Sequence, residues 1–311
     1  MAATPRPSIS EVEVDLESLE RSLRRPRTLF SFVMSVLTGA ATIAALVPLF
    51  SVLYMLVVRG LAGLSMAALG QLPPAAMALG GGFGNAIAGT FVVVAIATII
   101  SVPFGILAAI YITEFGPDTQ AASAVRFAAK VLTGLPSILA GVFAFAVVVT
   151  WTGKFSAPAG GVALALLMLP TVLLTAEEAV KRVPVKMREA AIGMGATPTQ
   201  VVTQVVVPTA APAMLTGVML AVARAAGETA PLLFTALFSD YWMSSTHPYF
   251  LPKTWSDLMK PTASLAVLIY NFSGSPFDNQ LTLAWSAALV LVVIVLVFNV
   301  IGQSLASRSS D

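Results

Sequence analysis

Residues 29–58 read LFSFVMSVLTGAATIAALVPLFSVLYMLVV, a run of apolar and small side chains that contains no charged residue. A helix needs about 20 such residues to cross the hydrocarbon core of a bilayer. Inside that core the segment must satisfy its own backbone amides and carbonyls, which favours a helix over an isolated strand. This stretch therefore predicts a membrane-spanning α-helix.

Five more apolar runs follow along the chain. Hydrophobic residues make up 57% of the sequence and charged residues 10%, against about 25% charged residues in soluble domains. We therefore predict an all-α membrane protein with six transmembrane helices. Prolines within the runs should kink or interrupt these helices because each removes a backbone donor; such prolines are Pro103, Pro136, Pro170 and Pro231. The predicted spans are Leu29–Val58, Asn85–Thr113, Val131–Thr150, Gly160–Leu174, Ala211–Leu237 and Leu281–Ile301.

The basic residues lie mostly on one side of these spans. If the N-terminus is cytoplasmic, 12 of the 17 lysines and arginines fall on the cytoplasmic side, four on the other side, and Arg224 lies within a span. The positive-inside rule then places both termini in the cytoplasm. The predicted organisation is a cytoplasmic tail (1–28), a transmembrane domain (29–304) and a second cytoplasmic tail (305–311), with a cytoplasmic loop at about 176–210 and an extracytoplasmic loop at about 239–280.

The composition excludes several kinds of site. The chain has no cysteine and one histidine, His247, so thiolate chemistry, serine–histidine catalysis and Cys/His metal sites lack their residues. The glycine-rich stretch Gly80–Gly84 lacks the lysine of a phosphate-binding loop. We therefore expect no metal, no cofactor and no ATP site in this chain, and no enzymatic activity of its own. A net charge of +2 gives no reason to expect a nucleic-acid partner.

The predicted cytoplasmic loop contains the segment VPVKMREAAIGMGATPTQVVTQVVVP, residues 183–208. Pro184 suits the first turn of a helix, and Gly195 suits the left-handed residue that ends one. Thr197 with Gln200 three residues later has the capping-box pattern that starts another helix. We predict two short helices separated by a tight turn.

The first of these short helices carries a small-residue pair. Ala190 and Ala191 are expected to form a surface that another protein can approach closely, beside the charged Arg188 and Glu189. The alternative interpretation is an ordinary amphipathic surface helix.

Two opposite charges lie inside the fifth predicted span. Arg224 and Glu228 occur in ARAAGETAPLLFTAL, residues 223–237. Charged residues in a membrane are costly and usually face a bundle interior or a water-filled cavity, and residues four apart on a helix share a face and can pair. Two interpretations remain open. The pair is either a salt bridge that joins two helices, or a pathway site in which Arg224 meets an anion and Glu228 neutralises it when the path is empty.

The loop spacing resembles the EAA loop of ABC-importer permeases. That pattern is Glu-Ala-Ala, three residues, Gly, nine residues, an aliphatic residue, one residue, an aliphatic residue and Pro. This chain has valines where the family usually has Ile and Leu. The matching residues are Glu189, Ala190, Ala191, Gly195, Val205, Val207 and Pro208.

Other segments resemble PstA-type phosphate permeases, and together the resemblance covers about residues 30–303. They are RAAGETAPLLFTA, SVPFGILAAIYITEF, GLPSI and the stretch from ASLAVLIYNF to LAWSAAL. The resemblance implies a type I ABC-importer permease fold in a bacterial cell membrane. It implies that the EAA loop (Glu189, Ala190, Ala191, Gly195 and Pro208) docks on an ATPase, and that Arg224, Glu228 and Thr229 belong to the phosphate pathway.

The same resemblance implies partners. They are a homologous PstC-like permease subunit, a PstB-like ATPase dimer that binds the ATP and Mg, a PstS-like extracytoplasmic phosphate-binding protein, and the lipid bilayer. Two alternatives remain. One is the same machine for sulfate, molybdate or phosphonate, since every oxyanion favours a positive site. The other is an ion-coupled secondary transporter, which predicts internal repeats or several buried carboxylates, whereas Glu228 is the one carboxylate deep in a predicted span.

Overall fold

The computed structural model describes residues 26–78, 80–244 and 252–308. Most of the predicted N-terminal tail, the last three residues and His247 lie outside these ranges. Every regular element within them is helical. The α-helices are α1 Pro26–Ala62, α2 Met66–Gly70, α3 Gly84–Ile110, α4 Gln120–Thr133, α5 Ser137–Ala144, α6 Thr150–Thr152, α7 Ala157–Lys181, α8 Val185–Gly193, α9 Pro198–Val201, α10 Val207–Ala226, α11 Ala230–Leu233, α12 Trp255–Leu258, α13 Leu265–Ser273 and α14 Asp278–Arg308; π-helical turns continue three of them at Tyr111–Phe115, Phe145–Val149 and Val202–Val206.

The chain divides into two compact units, residues 1–55 and 56–311. The described part of the first unit is a length of α1 whose apolar side chains are almost all exposed, as expected of a helix that faces lipid or another subunit. Its hydroxyl side chains bond back to carbonyls four residues earlier, Ser35 to Ser31 and Thr38 to Met34. These polar groups are thereby satisfied without water.

Helix α7 lies at the centre of the second unit, and α3 and α10 pack along it. Its most apolar 18-residue stretch is 61% buried, more than that of any other candidate span in the described chain. Glycines allow these helices to approach closely: an added Cβ at Gly105 would meet Val172, and one at Gly217 would meet Thr175. Small residues at such positions are typical of helix packing in membranes.

Five helical segments are long and apolar enough to span a membrane, and a bent pair of helices gives the sixth span. The prediction of six spans is therefore met only if that pair is counted as one. The third predicted span, Val131–Thr150, is not a continuous helix. Helix α4 ends at Thr133, and the chain turns by 107° before residues 137–152. Pro136 lies at this break, where it interrupts the helix as predicted.

The fourth span is longer than predicted. It was expected to end at Leu174, before the acidic residues, but α7 continues to Lys181. Glu177 stays within the helix because Arg126 and Lys181 each place a nitrogen 2.6 Å from its carboxylate. Its charge is therefore compensated where it is buried.

The fifth span begins and ends earlier in the chain than predicted. The helical run that begins at Pro198 ends at Ala226 rather than at Leu237. Pro231 explains the interruption, because its ring would clash with the carbonyl of Gly227 if the helix continued. Arg224 and Glu228 therefore lie at the end of a helix, and the prediction that they lie in its middle is wrong.

The predicted extracytoplasmic loop contains ordered structure. Its apolar piece, expected at Ala263–Phe272, forms the buried helix α13. The backbone N–H of Leu265 donates to the Thr90 hydroxyl at 2.9 Å and so joins α13 to α3. The shorter α12 is held by Asp257, whose carboxylate receives Lys260 Nζ at 2.8 Å and the Thr254 amide at 3.3 Å.

These contacts make the Asp257 ion pair resistant to acid. The hydrogen bond from Lys260 is the main cause that lowers the pKa of Asp257 to about 2 from an ordinary 3.8. A carboxyl with a depressed pKa stabilises the folded state above its unfolded pKa and loses this effect as the pH falls through the folded pKa. We expect Asp257→Asn to lower the Tm by a constant amount above about pH 4. The difference from the native protein should then shrink toward pH 2. A Tm difference that is unchanged at pH 2 would contradict this account.

Candidate functional site

The 183–208 segment folds as its sequence predicts. Helix α8 is followed by Gly195, whose φ of +88° is left-handed, and by a capping box that starts α9. In the capping box the Thr197 amide donates to the Gln200 side chain at 2.8 Å, and the Gln200 amide donates to the Thr197 hydroxyl at 3.4 Å. From α9 the chain continues through a π-helical turn into α10 without leaving helical conformation.

Helix α8 has two different faces, and they correct one prediction. Ala191 was expected on an accessible surface with Ala190, but it is 3% exposed and packs in the protein interior. Arg188, one turn earlier, lies on the same inward face, because residues three apart are neighbours on a helix. Glu189 and Ala190 are exposed, as predicted, and so is Pro208 at the start of α10.

The outward surface of α8 and its turn also carries apolar residues that the motif did not indicate. Val185 is 65% exposed, Ile192 59% and Met194 84%. Together with the exposed Glu189 they form an apolar surface that carries one negative charge. Hydrophobic groups gathered in this way on a short connection between two spans are typical of a protein contact.

Arg188 binds two spans at once. Its Nη1 atom lies 2.8 Å from Glu114 Oε1 and donates to Oε2 at 3.0 Å, and its Nη2 atom donates to the Val180 carbonyl at 2.9 Å. Glu114 belongs to the π-helical turn after α3, and Val180 lies near the end of α7. Arg188 was expected beside the motif, whereas no role was predicted for Glu114. The signal was the single acidic residue in YITEF at the end of an apolar span.

The second charged site is at the other end of α10. Arg224 Nε lies 3.5 Å from Glu228 Oε1, so the predicted pair is brought together. The side chain of Arg224 is 53% exposed, whereas that of Glu228 is 17% exposed. Arg224 lies in the last turn of α10, where the partial negative charge of the helix C-terminus favours a cation. The same field disfavours Glu228, so the carboxylate depends on Arg224 for compensation.

Thr229 follows the pair but does not join it by a hydrogen bond. It is partly buried and precedes α11, and its carbonyl accepts from the Leu232 amide at 3.1 Å. Arg224 and Glu228 instead line a narrow cleft with Leu167 and Thr171 of α7. A helix that ends within a membrane protein must be surrounded by protein or line a wet cavity.

One helix connects the two sites. Pro208 and Arg224 lie on α10 about 24 Å apart along its axis, at 1.5 Å per residue. The structure thus separates the EAA residues from Arg224, Glu228 and Thr229, and a continuous helical run, Pro198–Ala226, leads from one site to the other. Among the described residues no group of three or more His, Cys, Asp or Glu side chains is placed to hold a metal ion.

Comparison with known proteins agrees with this architecture. Residues 101–311 match the family described as binding-protein-dependent transport system inner membrane component. The chain is 35% identical to the phosphate transport system permease protein PstA of Yersinia pestis, over 93% of each chain. It is 36% identical to PstA of Haemophilus influenzae over 85% of this chain and 90% of that one. It is 35% identical to the probable PstA of Methanocaldococcus jannaschii over 84% of this chain and 88% of that one.

Solved structures support the fold. A chain of the bacterial alginate ABC transporter has a TM-score of 0.62 at 14% identity, over 93% of this chain and 98% of that one. A chain of the MetNI methionine ABC transporter has a TM-score of 0.51 at 20% identity, over 73% of this chain and 93% of that one. The protein is a multi-pass protein of the cell membrane with the type I importer permease fold. It belongs to the binding-protein-dependent transport system inner membrane components, the permease subunits of ABC importers.

Proposed function

We propose that this chain is the PstA-type permease subunit of an ATP-driven phosphate importer and forms half of the translocation pathway. Family membership implies an ATPase and a substrate-binding protein as partners. We further propose that these are a PstB-like ATPase dimer and a PstS-like phosphate-binding protein, with a PstC-like second permease subunit. ATP and Mg bind to the ATPase, and this chain supplies no nucleotide site. The observation that carries the phosphate assignment is the 35% identity to a PstA protein over 93% of the chain.

The α8 surface supports the ATPase contact. Glu189 and Ala190, together with the exposed apolar residues Val185, Ile192 and Met194, offer a compact surface with one negative charge beside the exposed Lys186. Apolar anchors with a charged neighbour are what a groove in a partner protein can bind. Within this coupling segment, residues 183–208, Gly195 forms the turn between α8 and α9 and Pro208 lies at the C-terminal end. Ala191 anchors α8 from the inside.

The Arg224 site supports the anion pathway. A guanidinium is always charged and offers a planar fork of donors that matches an oxyanion. Glu228 competes for that fork and so prevents an anion from being held too tightly to leave. Thr229 adds a hydroxyl beside it. Sulfate and molybdate share this chemistry, so a direct test of selectivity is needed.

That test uses cells that lack their own phosphate importer and receive this chain with its partner permease, ATPase and binding protein. Uptake of labelled phosphate is expected to return and to persist in an excess of sulfate, molybdate or phosphonate. Cells that receive every component except this chain are the control. If sulfate or molybdate competed as well as unlabelled phosphate, the machine would serve another oxyanion. If uptake followed an ion gradient without ATP, the chain would be a secondary transporter.

Membrane orientation gives a separate prediction. The proposed domains are a cytoplasmic tail (1–28), the transmembrane domain (29–304) and a cytoplasmic tail (305–311), with the coupling segment inside the cell. The chain has no cysteine, so single cysteines can be added directly. Thr199→Cys should resist a membrane-impermeant thiol reagent in intact spheroplasts, and Ser256→Cys should react. Both positions are exposed in the structure. Labelling of Thr199→Cys in sealed spheroplasts would overturn the orientation and the coupling assignment together.

A further inference from the structure

The inward face of α8 contacts the membrane domain in two ways, through an apolar side chain and through a charged one. Ala191 is an apolar contact in a buried cluster of side chains from the ends of α3, α7 and α10. Arg188 is the polar contact, and it reaches Glu114 and the Val180 carbonyl. Alanine offers a small contact area without direction, so the register of α8 on the spans depends on the directed bonds of Arg188.

The Arg188–Glu114 pair is largely removed from solvent. The exposed fractions of the side chains are 23% and 9%. A second pair on the same side of the protein, Arg182–Glu178, has a longer separation of 3.4 Å and exposed fractions of 75% and 73%. Breaking a buried pair leaves an uncompensated charge and is costly, whereas an exposed pair contributes little. Arg182–Glu178 is therefore a matched control within the chain.

The pair also has unused bonding capacity. Arg188 Nε and Glu114 Oε1 are buried and have no hydrogen-bond partner, although Oε1 lies in charge contact with Nη1. The guanidinium is thus not in the parallel two-bond arrangement with the carboxylate. A small shift of α8 can form the second bond without breaking the first, so the contact can persist while the two elements move.

We propose that Arg188 is a positioning residue that transmits movement of α8 to two spans, through Glu114 in the π-helical turn after α3 and through the Val180 carbonyl on α7. Arg188 faces away from the exposed ATPase-binding surface of α8, so it acts through the membrane domain and not by contact with the ATPase. The inference rests on the proposed function. It adds a defined path by which ATPase movement reaches α3, which no feature of the EAA spacing indicates.

The test measures how far the phosphate-loaded binding protein stimulates ATP hydrolysis by the complete importer in proteoliposomes. Glu114→Gln and Arg188→Gln should each reduce this stimulation at least about fivefold, the lower range of measured coupling between sites. Co-purification of the ATPase should be unchanged. The control Glu178→Gln should keep the wild-type stimulation.

A double variant separates transmission from stability. Glu114→Leu with Arg188→Met replaces a buried ion pair by apolar groups, a change that is often neutral for stability. We expect this variant to assemble and to remain unstimulated. Wild-type stimulation in the double variant, or in both single variants, would overturn the proposal. Failure of the double variant to assemble would also overturn it, because the pair would then serve folding alone.

The proposed function fails in a different way. A wild-type importer that is stimulated only when its binding protein carries sulfate would overturn the phosphate assignment. The role of the pair would then be measured with the same variants in sulfate.

Discussion

Replacing Arg224 with glutamine is expected to lower phosphate uptake by about 100-fold or more. A loss of this size lies within the range found when one partner of a close charge pair is truncated. The importer should still assemble and bind its ATPase, because Arg224 lies about 24 Å along α10 from Pro208. Arg224 is half exposed, and its ion pair with Glu228 is long, with 3.5 Å between Arg224 Nε and Glu228 Oε1. Within the described chain its other guanidinium donors have no hydrogen-bond partner, so they are available to an anion. Arg224→Lys should restore little, because an ammonium lacks the planar fork.

A double substitution distinguishes a pathway residue from a structural salt bridge. Arg224→Gln alone leaves the negative charge of Glu228 uncompensated near the negative end of α10. The double variant, Arg224→Gln with Glu228→Gln, removes that charge as well. If the pair only joined protein segments, the double variant would transport phosphate again. We expect it to stay inactive while co-purifying normally with its partners. Normal transport by the double variant would show that phosphate passes by other groups.

Gly195→Val is expected to cause the second large loss, an ATPase that no longer co-purifies with the membrane subunits. At Gly195 φ is +88°, and a left-handed residue with a side chain costs about 1–2 kcal/mol, with β-branched residues the worst case. An added Cβ there would meet no atom within 4 Å, so the effect is one of backbone conformation and not of steric contact. The turn would rearrange and displace α8 relative to α9.

The matched control is Gly195→Asn, which adds a side chain to the same open space but tolerates left-handed conformation. It should retain the ATPase and most of the uptake. Glu189→Lys reverses the negative charge on the exposed surface of α8 and should weaken ATPase binding without affecting membrane insertion. Normal uptake and co-purification of the ATPase with both Gly195→Val and Glu189→Lys would contradict the coupling assignment.

Local sequence patterns predicted the coupling segment well. The left-handed residue at Gly195 and the capping box of Thr197 depend on neighbours within three or four residues, so they could be derived without a structure. The ends of the spans depended on distant residues. Helix α7 extends past its predicted end because Lys181 within it and Arg126 on another helix both compensate Glu177, and Arg126 is the distant partner. No pattern within α7 contains that partner.

The errors at the third and fifth spans have a common origin. Each apolar run was counted as one span, although Pro136 and Pro231 were expected to kink or interrupt it. In water such breaks expose backbone groups, but here neighbouring segments cover them; an added Cβ at Gly141 of α5 would collide with Pro231. Hydropathy measures the length of a run and not its path. It therefore could not show that Arg224 lies at a helix end.

The EAA motif also could not predict which side of the short helix α8 is buried. The EAA spacing indicated which residues belong to the coupling segment, but it did not distinguish their faces. Ala191 and Arg188 face the membrane domain, whereas Ala190 and Glu189 face outward, because successive residues on a helix are rotated by about 100°. Only the tertiary contacts of α8 decide which face is inside.

Phosphate transport driven by ATP is the central claim, and it can be measured in proteoliposomes that hold this chain, the second permease subunit and the ATPase. Labelled phosphate and the binding protein are supplied on the extracytoplasmic side, and ATP on the other. We predict phosphate accumulation that requires ATP hydrolysis and the binding protein and that is lost with Arg224→Gln. Phosphate entry that is independent of ATP, or ATP hydrolysis stimulated by the binding protein without phosphate entry, would contradict the account.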